Sequence, residues 1–385
     1  MDRKEKMRAV AILSLSVSQF VTGAAVSPAL GAIRAAFAGT PDLAVQMLIS
    51  LPAVAIIPAS LLSGKLAGRK IRRKTLTLAG TLIYVLGGVG GALAWSMPIL
   101  LAFRFLLGIG AGILLPLSVS LIADFYTGAM RARLTGYATA VASLGGTVIT
   151  LGAGALGAVH WRLVFLVYLA MLPAFFLNLR YLTEPESTGS VFDAFRFSPV
   201  VIKVSAYMFG ITVMVFALPV YLSLYLTDAG LGGPQAASYI LVMPNFAGLF
   251  AGAVFSDYKR ILKGLAGPVA LVLMSCGFLV LGSVRSLPLL SLGAFVFGLG
   301  LGVLNPLNYL RMVNGVPEAD GSFALAVGNA AMYLGQFAAP LIYGILLSTG
   351  LAADIRSLFL LNAGASLVMG LVFGLRRHLV TGEVV

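Results

Sequence analysis

The chain has 385 residues, of which 59% are hydrophobic and only 10% are charged, and its formal net charge is +13. Soluble domains carry about 25% charged residues, so this composition excludes a water-soluble globular fold and indicates an integral membrane protein. Without a basic soluble domain to bind nucleic acid, the positive charge is typical of the cytoplasmic flanks of membrane helices. The single cysteine, Cys276, excludes a disulfide framework or a cysteine-based metal site within one chain.

Twelve apolar segments are long enough to cross a bilayer, which takes about 20 mostly apolar residues. The first follows a basic N-terminal segment and is interpreted as a retained span rather than a cleaved signal peptide. The predicted spans of the first half are Ala9–Ile33, Leu43–Leu66, Thr75–Trp95, Pro98–Phe125, Thr135–Ala158 and Leu163–Leu182. Those of the second half are Val200–Thr227, Pro234–Ser256, Gly267–Val284, Pro288–Val313, Ser322–Leu347 and Ile355–Leu375.

The distribution of basic residues supports this count and orients the chain. With the N-terminus in the cytoplasm, 21 of the 26 Lys and Arg residues lie in inside segments and 4 lie outside. The remaining one, Arg104, lies within the fourth span. Cytoplasmic loops of membrane proteins are enriched in Lys and Arg, so the split predicts both termini on the cytoplasmic side of the cytoplasmic (inner) membrane.

The two halves of the chain contain similar segments, and the polar stretch 183–199 separates them. The segments Gly64–Lys74 and Ala253–Lys263 follow the second and eighth spans, and both are basic. Internal repetition of this kind is typical of secondary transporters. We therefore predict an N-terminal six-helix bundle over 1–182, a cytoplasmic linker over 183–199 and a C-terminal six-helix bundle over 200–385.

Three motifs resemble those of the major facilitator superfamily, nearest its twelve-helix drug efflux (drug:proton antiporter) branch. The pattern G-x-L-x-D-R-x-G-R-[KR] between helices two and three is matched at Gly64, Leu66, Arg69, Arg72 and Arg73, although the acid is replaced by Gly68 and the second glycine by Ile71. The helix-four pattern R-x-x-x-G-x-G is present as Arg104, Gly108 and Gly110, and W-R-x-x-F as Trp161, Arg162 and Phe165. The proline of the efflux-branch helix-five element is missing.

The resemblance implies an all-α membrane protein with twelve transmembrane helices in two pseudo-symmetric bundles, working by alternating access. It also implies that the basic loop is a gate, with Asp124 near Arg131 as a substitute acid and Asp257 as the acid of the second copy. The alternative is that the loop sets topology and contacts anionic lipid heads. For Arg104 the alternatives are a functional role in a polar interior and a side chain that snorkels to the surface.

The acidic residues bear on the driving force. None of the thirteen lies in mid-membrane, whereas a proton-coupled carrier usually titrates a buried intramembrane carboxyl group. Proton coupling would therefore have to use Asp42, Asp124 or Asp228. A uniporter or a differently coupled carrier stays open.

The midplane polar residues are mostly neutral, which predicts a cavity for a neutral or lipophilic substrate. Each of them alone is better explained by ordinary interhelical hydrogen bonds than by ligand contact, and only the set as a whole predicts the cavity. The predicted cavity residues are Gln19, Thr22, Arg104, Tyr207, Thr212, Tyr221, Asn245, Asn305, Asn308, Tyr309, Asn329, Tyr333 and Gln336.

The sequence thus predicts a secondary active transporter, with efflux of drugs or metabolites as the leading interpretation. The alternatives are an uptake carrier or uniporter for a neutral solute such as a sugar, and a membrane-embedded lipid-modifying enzyme. The enzyme is disfavoured because the sequence offers no HExxH motif, no Cys/His set and no paired intramembrane carboxylates. No cofactor or metal is expected. The expected partners are a small-molecule substrate, the bilayer and protons, with no nucleic acid and a monomeric state.

Overall fold

The computed structural model describes residues 2–185, 198–317 and 320–375, and within these ranges the chain is helical throughout except for short turns and one isolated bridge between Ala67 and Ile71. In the first half the helices are α1 Arg3–Ser14, α2 Ser18–Ala24, α3 Leu30–Ala36, α4 Asp42–Leu66, α5 Arg73–Val89, α6 Met97–Phe125, α7 Gly128–Val159 and α8 Leu172–Tyr181. In the second half they are α9 Pro199–Asp228, α10 Pro234–Ala253, α11 Phe255–Leu262, α12 Ala266–Ser283, α13 Leu287–Asn314, α14 Gly321–Ser348 and α15 Ile355–Leu375. Short 3₁₀ segments extend several of these helices.

Eleven helices of the described residues are long and apolar enough to cross a membrane. They coincide with eleven of the twelve predicted spans. Helices suit this environment because lipid offers no hydrogen-bond partners, so the backbone has to satisfy its own polar groups. The predicted span bounds and the observed helix bounds differ most at α7 and α12. A polar turn precedes the apolar part of α7, while α12 is continued towards the N-terminus by the surface helix α11.

The remaining predicted span, Ala9–Ile33, is helical but interrupted. It consists of α1, a 3₁₀ turn at Leu15–Val17, α2, a second 3₁₀ turn at Ser27–Ala29, and α3. The break after Ala24 comes just before Pro28, which has no N–H to donate and disfavours helical geometry in the residue before it. The sequence pattern located this segment, but it did not predict that the helix is discontinuous.

The described chain forms two compact units, Met1–Val191 (unit 1) and Phe192–Val385 (unit 2). The division falls inside the predicted linker 183–199, most of which lies outside the described residues. The predicted bounds of the two bundles and the linker remain predictions.

Helix packing inside unit 1 depends on glycines of α6. A Cβ added at Gly108 would overlap the carbonyl oxygen of Pro52 in α4, and one at Gly110 would overlap the backbone of Tyr84 in α5. The backbones therefore approach as closely as they do because these positions have no side chain, which is a common device of membrane helix pairs.

Unit 2 repeats the arrangement with different residues. A Cβ at Gly298 of α13 would overlap Pro244 of α10, and one at Gly300 would overlap the carbonyl oxygen of Ala270 in α12. Gly298 and Gly300 occupy in α13 the place that Gly108 and Gly110 occupy in α6. The internal repetition of the sequence is therefore also a repetition of backbone contacts.

Candidate functional site

Arg104 is the most buried charged residue of the described chain, with a relative exposure of 0%. Its Nε donates to the carbonyl oxygen of Leu48 at 2.6 Å, its Nη1 to the hydroxyl of Tyr168 at 2.5 Å, and its Nη2 to the carbonyl oxygen of Thr22. A guanidinium group presents donors in a rigid planar fork, so one side chain fixes three different helical segments. The snorkelling alternative does not describe this residue, because its donors bind protein groups in the interior.

Both backbone acceptors of Arg104 are carbonyls that their own helices leave free. Leu48 would normally accept from the residue four positions on, but that residue is Pro52, which has no N–H. Thr22 lies in the last turn of α2, where carbonyls lack an intrahelical partner. The arginine therefore compensates for a proline in α4 and for the break in the first span.

Tyr168, which accepts the third bond, is also fully buried. Its ring meets that of Tyr84 edge to face, with centroids 5.8 Å apart. Tyr168 was not among the predicted residues, since nothing in its local sequence pattern distinguishes it from other aromatic residues of the span. The presence of Pro52 four residues after Leu48 was a usable signal that a buried donor would be needed.

A second buried charge cluster lies at the end of unit 1 where α5 begins and α6 ends. Arg73 Nη1 and Asp124 Oδ2 form an ion pair, and the two side chains are only 9% and 8% exposed. Each charge is at the less favourable end of its helix, since a helix N-terminus favours anions and a C-terminus favours cations. Their pairing offsets both penalties and ties α5 to α6.

Glu184 completes this cluster. Its carboxylate accepts from the backbone N–H of Arg73 at 2.6 Å and of Lys74 at 3.1 Å, which caps the first turn of α5. The loop before α5 turns at Gly68, whose φ of 74° is a left-handed conformation suited to glycine. Glu184 stands at the start of the predicted linker, and the sequence analysis assigned it no role.

The other predicted gate residues are exposed. These are Arg69, Arg72 and Arg131 in unit 1 and Asp257 in unit 2, while Gly64 is half-buried. Asp257 pairs with Arg260 one turn later in α11 at 3.0 Å, and both side chains are mostly exposed. In the structure it is Arg73 that lies beside Asp124.

The remaining coupling candidates lie at helix ends near the surface. Asp42 begins α4, its carboxylate is 61% exposed, and it lies 4.0 Å from Arg34. Asp228 ends α9 and is exposed. Of the three candidates, only Asp124 is buried.

Two predicted cavity residues of unit 1, Gln19 and Thr22, lie on α2, and Thr22 contacts Arg104. Gln19 is exposed and its Nε2 donates to Ser118 Oγ at 3.2 Å. Thr22 is buried, its hydroxyl donates to the Ser18 carbonyl at 2.9 Å, and its own carbonyl accepts from Arg104.

In unit 2 the structure brings Tyr221 together with two residues that the sequence analysis missed. The Tyr221 ring meets that of Tyr343 edge to face at 5.6 Å. The Tyr343 hydroxyl contacts the Val213 carbonyl at 3.0 Å and Asn362 Oδ1 at 2.8 Å. This network joins α9, α14 and α15.

A second pair in unit 2 consists of Tyr309 and Asn329, whose hydroxyl and Oδ1 are 3.1 Å apart. Nearby in sequence, Asn308 is 2% exposed, and its Oδ1 has no hydrogen-bond partner among the described residues. Thr212 and Gln336 are buried, whereas the half-buried members of the predicted set are Tyr207, Asn245, Asn305, Asn329 and Tyr333. Among the described residues, no group of three or more His, Cys, Asp and Glu side chains could hold a metal ion.

A family model described as Major Facilitator Superfamily matches residues 10–340. The chain belongs to the Major Facilitator Superfamily. The predicted family and the predicted all-α membrane fold are thereby confirmed, and the protein is a multi-pass membrane transporter.

The names of individual relatives of this superfamily member give different transported substrates. It is 27% identical to the 3-(3-hydroxy-phenyl)propionate transporter of Escherichia coli, over 84% of this chain and 82% of that one. It is 32% identical to the cephamycin export protein CmcT of Amycolatopsis lactamdurans, over 42% of this chain and 33% of that one. The solved structure of the nucleoside transporter NupG superposes with a TM-score of 0.78 at 12% identity, covering 95% of this chain and 99% of that chain, which shows the shared fold.

Proposed function

We propose that this superfamily member exports a small neutral or lipophilic molecule across the cytoplasmic membrane by alternating access. The observation that carries the proposal is the engagement of Arg104. The one charge within the predicted cavity set binds two backbone carbonyls and a tyrosine hydroxyl. It is therefore occupied in holding helices together, and the other predicted cavity residues are neutral.

The neutral lining supports a substrate without a fixed charge. Tyr, Asn and Gln side chains present hydrogen-bond donors and acceptors beside apolar rings, as small-molecule sites commonly do. Asn308 is the strongest candidate for a substrate contact. Its buried amide oxygen has no hydrogen-bond partner among the described residues, and leaving such an atom unsatisfied costs folding free energy. A substrate hydroxyl or N–H would remove that cost.

The direction of transport is supported by the export relative. The cephamycin export protein is 32% identical over 42% of this chain, and its name gives the export direction that we propose. The bias of basic residues supports a cytoplasmic-membrane location with both termini inside. We also propose that the protein acts as a monomer, since a single chain supplies both repeats of the fold.

The buried pair of Arg73 and Asp124 is proposed as part of the gate, together with the exposed loop residues Arg69, Arg72 and Arg131, the loop glycine Gly64 and the repeat acid Asp257. Breaking a buried ion pair is costly, so such a contact stabilises the conformation in which it forms. Asp124 is also the proposed proton-coupling residue for any gradient-dependent transport, because Asp42 and Asp228 are exposed.

Counterflow in proteoliposomes tests this function. Purified protein is reconstituted with a panel of neutral lipophilic compounds, a cephamycin and a neutral sugar, with and without a pH gradient. We expect exchange of a neutral lipophilic compound and a reduced apparent affinity in Asn308→Ala. Exchange confined to sugars would contradict the proposed substrate class, and transport that ignores the gradient would remove the proton-antiport version.

A second candidate is a carrier of small aryl carboxylates. It is favoured by the hydroxyphenylpropionate transporter, which matches over four-fifths of both chains. The same panel with 3-(3-hydroxyphenyl)propionate added separates the two candidates, because a carboxylate carrier would exchange this anion in preference to the neutral compounds.

A further inference from the structure

Helix α11 and the turn after it form a basic segment at one end of a membrane span. The span Phe255–Ser283 has 29 residues and consists of α11, the 3₁₀ turn Lys263–Leu265 and the apolar helix α12. At 1.5 Å per residue the 18 residues of α12 rise about 27 Å, which nearly crosses the roughly 30 Å hydrocarbon core of a bilayer. We therefore expect α11 to lie near the lipid headgroups.

The two faces of α11 differ in chemistry. Val254, just before the helix, and Ile261 are seven residues apart on one side, and their exposed fractions are 54% and 72%. Ser256 and Lys259 lie on the opposite side, and Lys263 follows directly after the end of the helix. A short helix with an exposed apolar face and a cationic face is typical of a segment that lies in the membrane interface. We expect the bilayer to cover the apolar face.

A recess of about 540 Å³ opens on the cationic side. It is lined by Phe255, Ser256, Lys259, Arg260, Lys263 and Leu310. Asp257 pairs with Arg260 at 3.0 Å, so the segment keeps a net charge of two from its lysines. Phe255 and Leu310 add an apolar wall, which suits an anion attached to an apolar body.

Lys263 occupies an unusual backbone conformation. Its φ of 47° makes it the one non-glycine residue with positive φ in the described chain. Such a conformation is unfavourable for a residue with a Cβ and is found where the side chain is used. Glycine would fit the turn better, but it would lose the cation that borders the recess.

We propose that this recess binds the phosphate headgroup of an anionic phospholipid. Lys259 and Lys263 contact the phosphate oxygens, and Phe255 and Leu310 lie against the glycerol and the first acyl carbons. Basic pockets between membrane helices at the surface are suited to such headgroups. This proposal does not depend on which substrate is moved.

The test measures retention of phosphatidylglycerol by the full chain in phosphatidylcholine nanodiscs, using native mass spectrometry. The double variant Lys259→Gln/Lys263→Gln is compared with Lys65→Gln/Lys70→Gln, which removes the same charge from exposed positions of the corresponding loop in unit 1. We expect the first to lower phosphatidylglycerol affinity about 30-fold, at roughly a factor of five per basic residue, and the second to leave it near the wild-type value. Equal losses in both would show non-specific surface attraction and overturn the proposal.

Two further arms separate folding and soluble anions from lipid binding. Lys263→Gly relieves the backbone while removing the cation, so thermal stability should hold or rise while lipid retention falls about fivefold. Unchanged retention in this variant would contradict a role for Lys263. Inorganic phosphate is added as competitor. Displacement of the lipid at millimolar phosphate would show a site for soluble anions and overturn the assignment to phospholipid.

Discussion

The interiors of the two units are built on the same glycine contacts but differ at one position. Four residues before the first close-contact glycine stands Arg104 in α6 and Ala294 in α13, and both are fully buried. In unit 2 the neighbouring space is filled by aromatic rings, with Phe278 and Phe297 centroids 4.9 Å apart. At this position unit 1 therefore joins its helices through a charged side chain, and unit 2 has an apolar residue beside packed aromatic rings.

The physical reason for the difference lies in the first helix of each unit. In unit 1 it is broken, and Thr22 is left with a free carbonyl beside the one freed by Pro52. In unit 2, α9 runs unbroken from Pro199 to Asp228. A buried arginine is stable only where hydrogen-bond acceptors are available, because burying an unpaired guanidinium group costs several kcal/mol. The break and the arginine therefore belong together.

The largest expected effect is at Arg104 itself. Arg104→Met removes the donor to Leu48 and Thr22, and each carbonyl left buried and unsatisfied costs about 1–3 kcal/mol. We expect the free energy of unfolding to fall by about 3–5 kcal/mol in denaturant titrations of the purified protein.

Arg356→Met is the matched control for Arg104→Met. Arg356 in unit 2 also donates to two backbone carbonyls, those of Gly282 and Ser283, both at 3.1 Å, but at a partly exposed site. Water can replace it there, so the expected loss is about 1 kcal/mol or less. Equal losses in the two variants would show that the burial of Arg104 adds nothing.

The second comparison sets a buried ion pair in unit 1 against an exposed one in unit 2. Asp124→Asn leaves Arg73 charged and buried, with an expected loss of about 3 kcal/mol. Asp257→Asn breaks the exposed pair with Arg260 and should change stability by less than about 1 kcal/mol. Thermal unfolding measures both effects.

Asp124→Asn also tests the proposed gate. Accessibility of single cysteines introduced at the start of α5 and at the end of α6 should rise in the variant, because the contact that joins the two helices is weakened. Unchanged accessibility and transport would remove Asp124 from the gate.

The third comparison tests the repeat in backbone packing. Gly108→Ala and Gly298→Ala each place a methyl group against a proline of the neighbouring helix, and we expect similar losses of about 1–3 kcal/mol. Gly136→Ala, where a Cβ meets nothing within 4 Å, should be neutral or slightly stabilising. Thermal unfolding compares the three. A loss of stability confined to one unit would show that the two glycine contacts do not contribute equally to stability.

The smallest effect is expected in the polar network of unit 2. Tyr343→Phe deletes hydroxyl contacts to Val213 and Asn362 at a site only 2% exposed, with an expected loss of about 1–2 kcal/mol. Tyr309→Phe, at a position 38% exposed, serves as control and should change thermal stability little. If Tyr309→Phe were the more damaging variant, the Tyr343 network would not be the stabilising one.

Much of the fold was predictable because lipid imposes a strong constraint on sequence. Apolar runs located eleven helices closely, and the motif around Arg104 and Gly108 identified the superfamily. The break in the first span was less visible, since Pro28 alone does not interrupt a membrane helix; Pro219 lies inside α9, which stays continuous.

The candidate site was predicted less completely. Arg104 and Asp124 stood out as rare charges in or beside apolar runs. Tyr168, Glu184, Tyr343 and Asn362 did not, because their partners are distant in sequence and their residue types are common. The roles of the predicted gate and cavity residues stay predictions until transport is measured.

By itself the sequence indicated that lipid is the solvent of this protein, located the approximate ends of eleven membrane helices and indicated a transporter superfamily, since composition and hydrophobic length act locally. Only the tertiary structure decided how Arg104 is used. Its three acceptors come from segments about 56 to 82 residues away in sequence, and hydrogen bonds over such separations arise from packing, which no local pattern encodes.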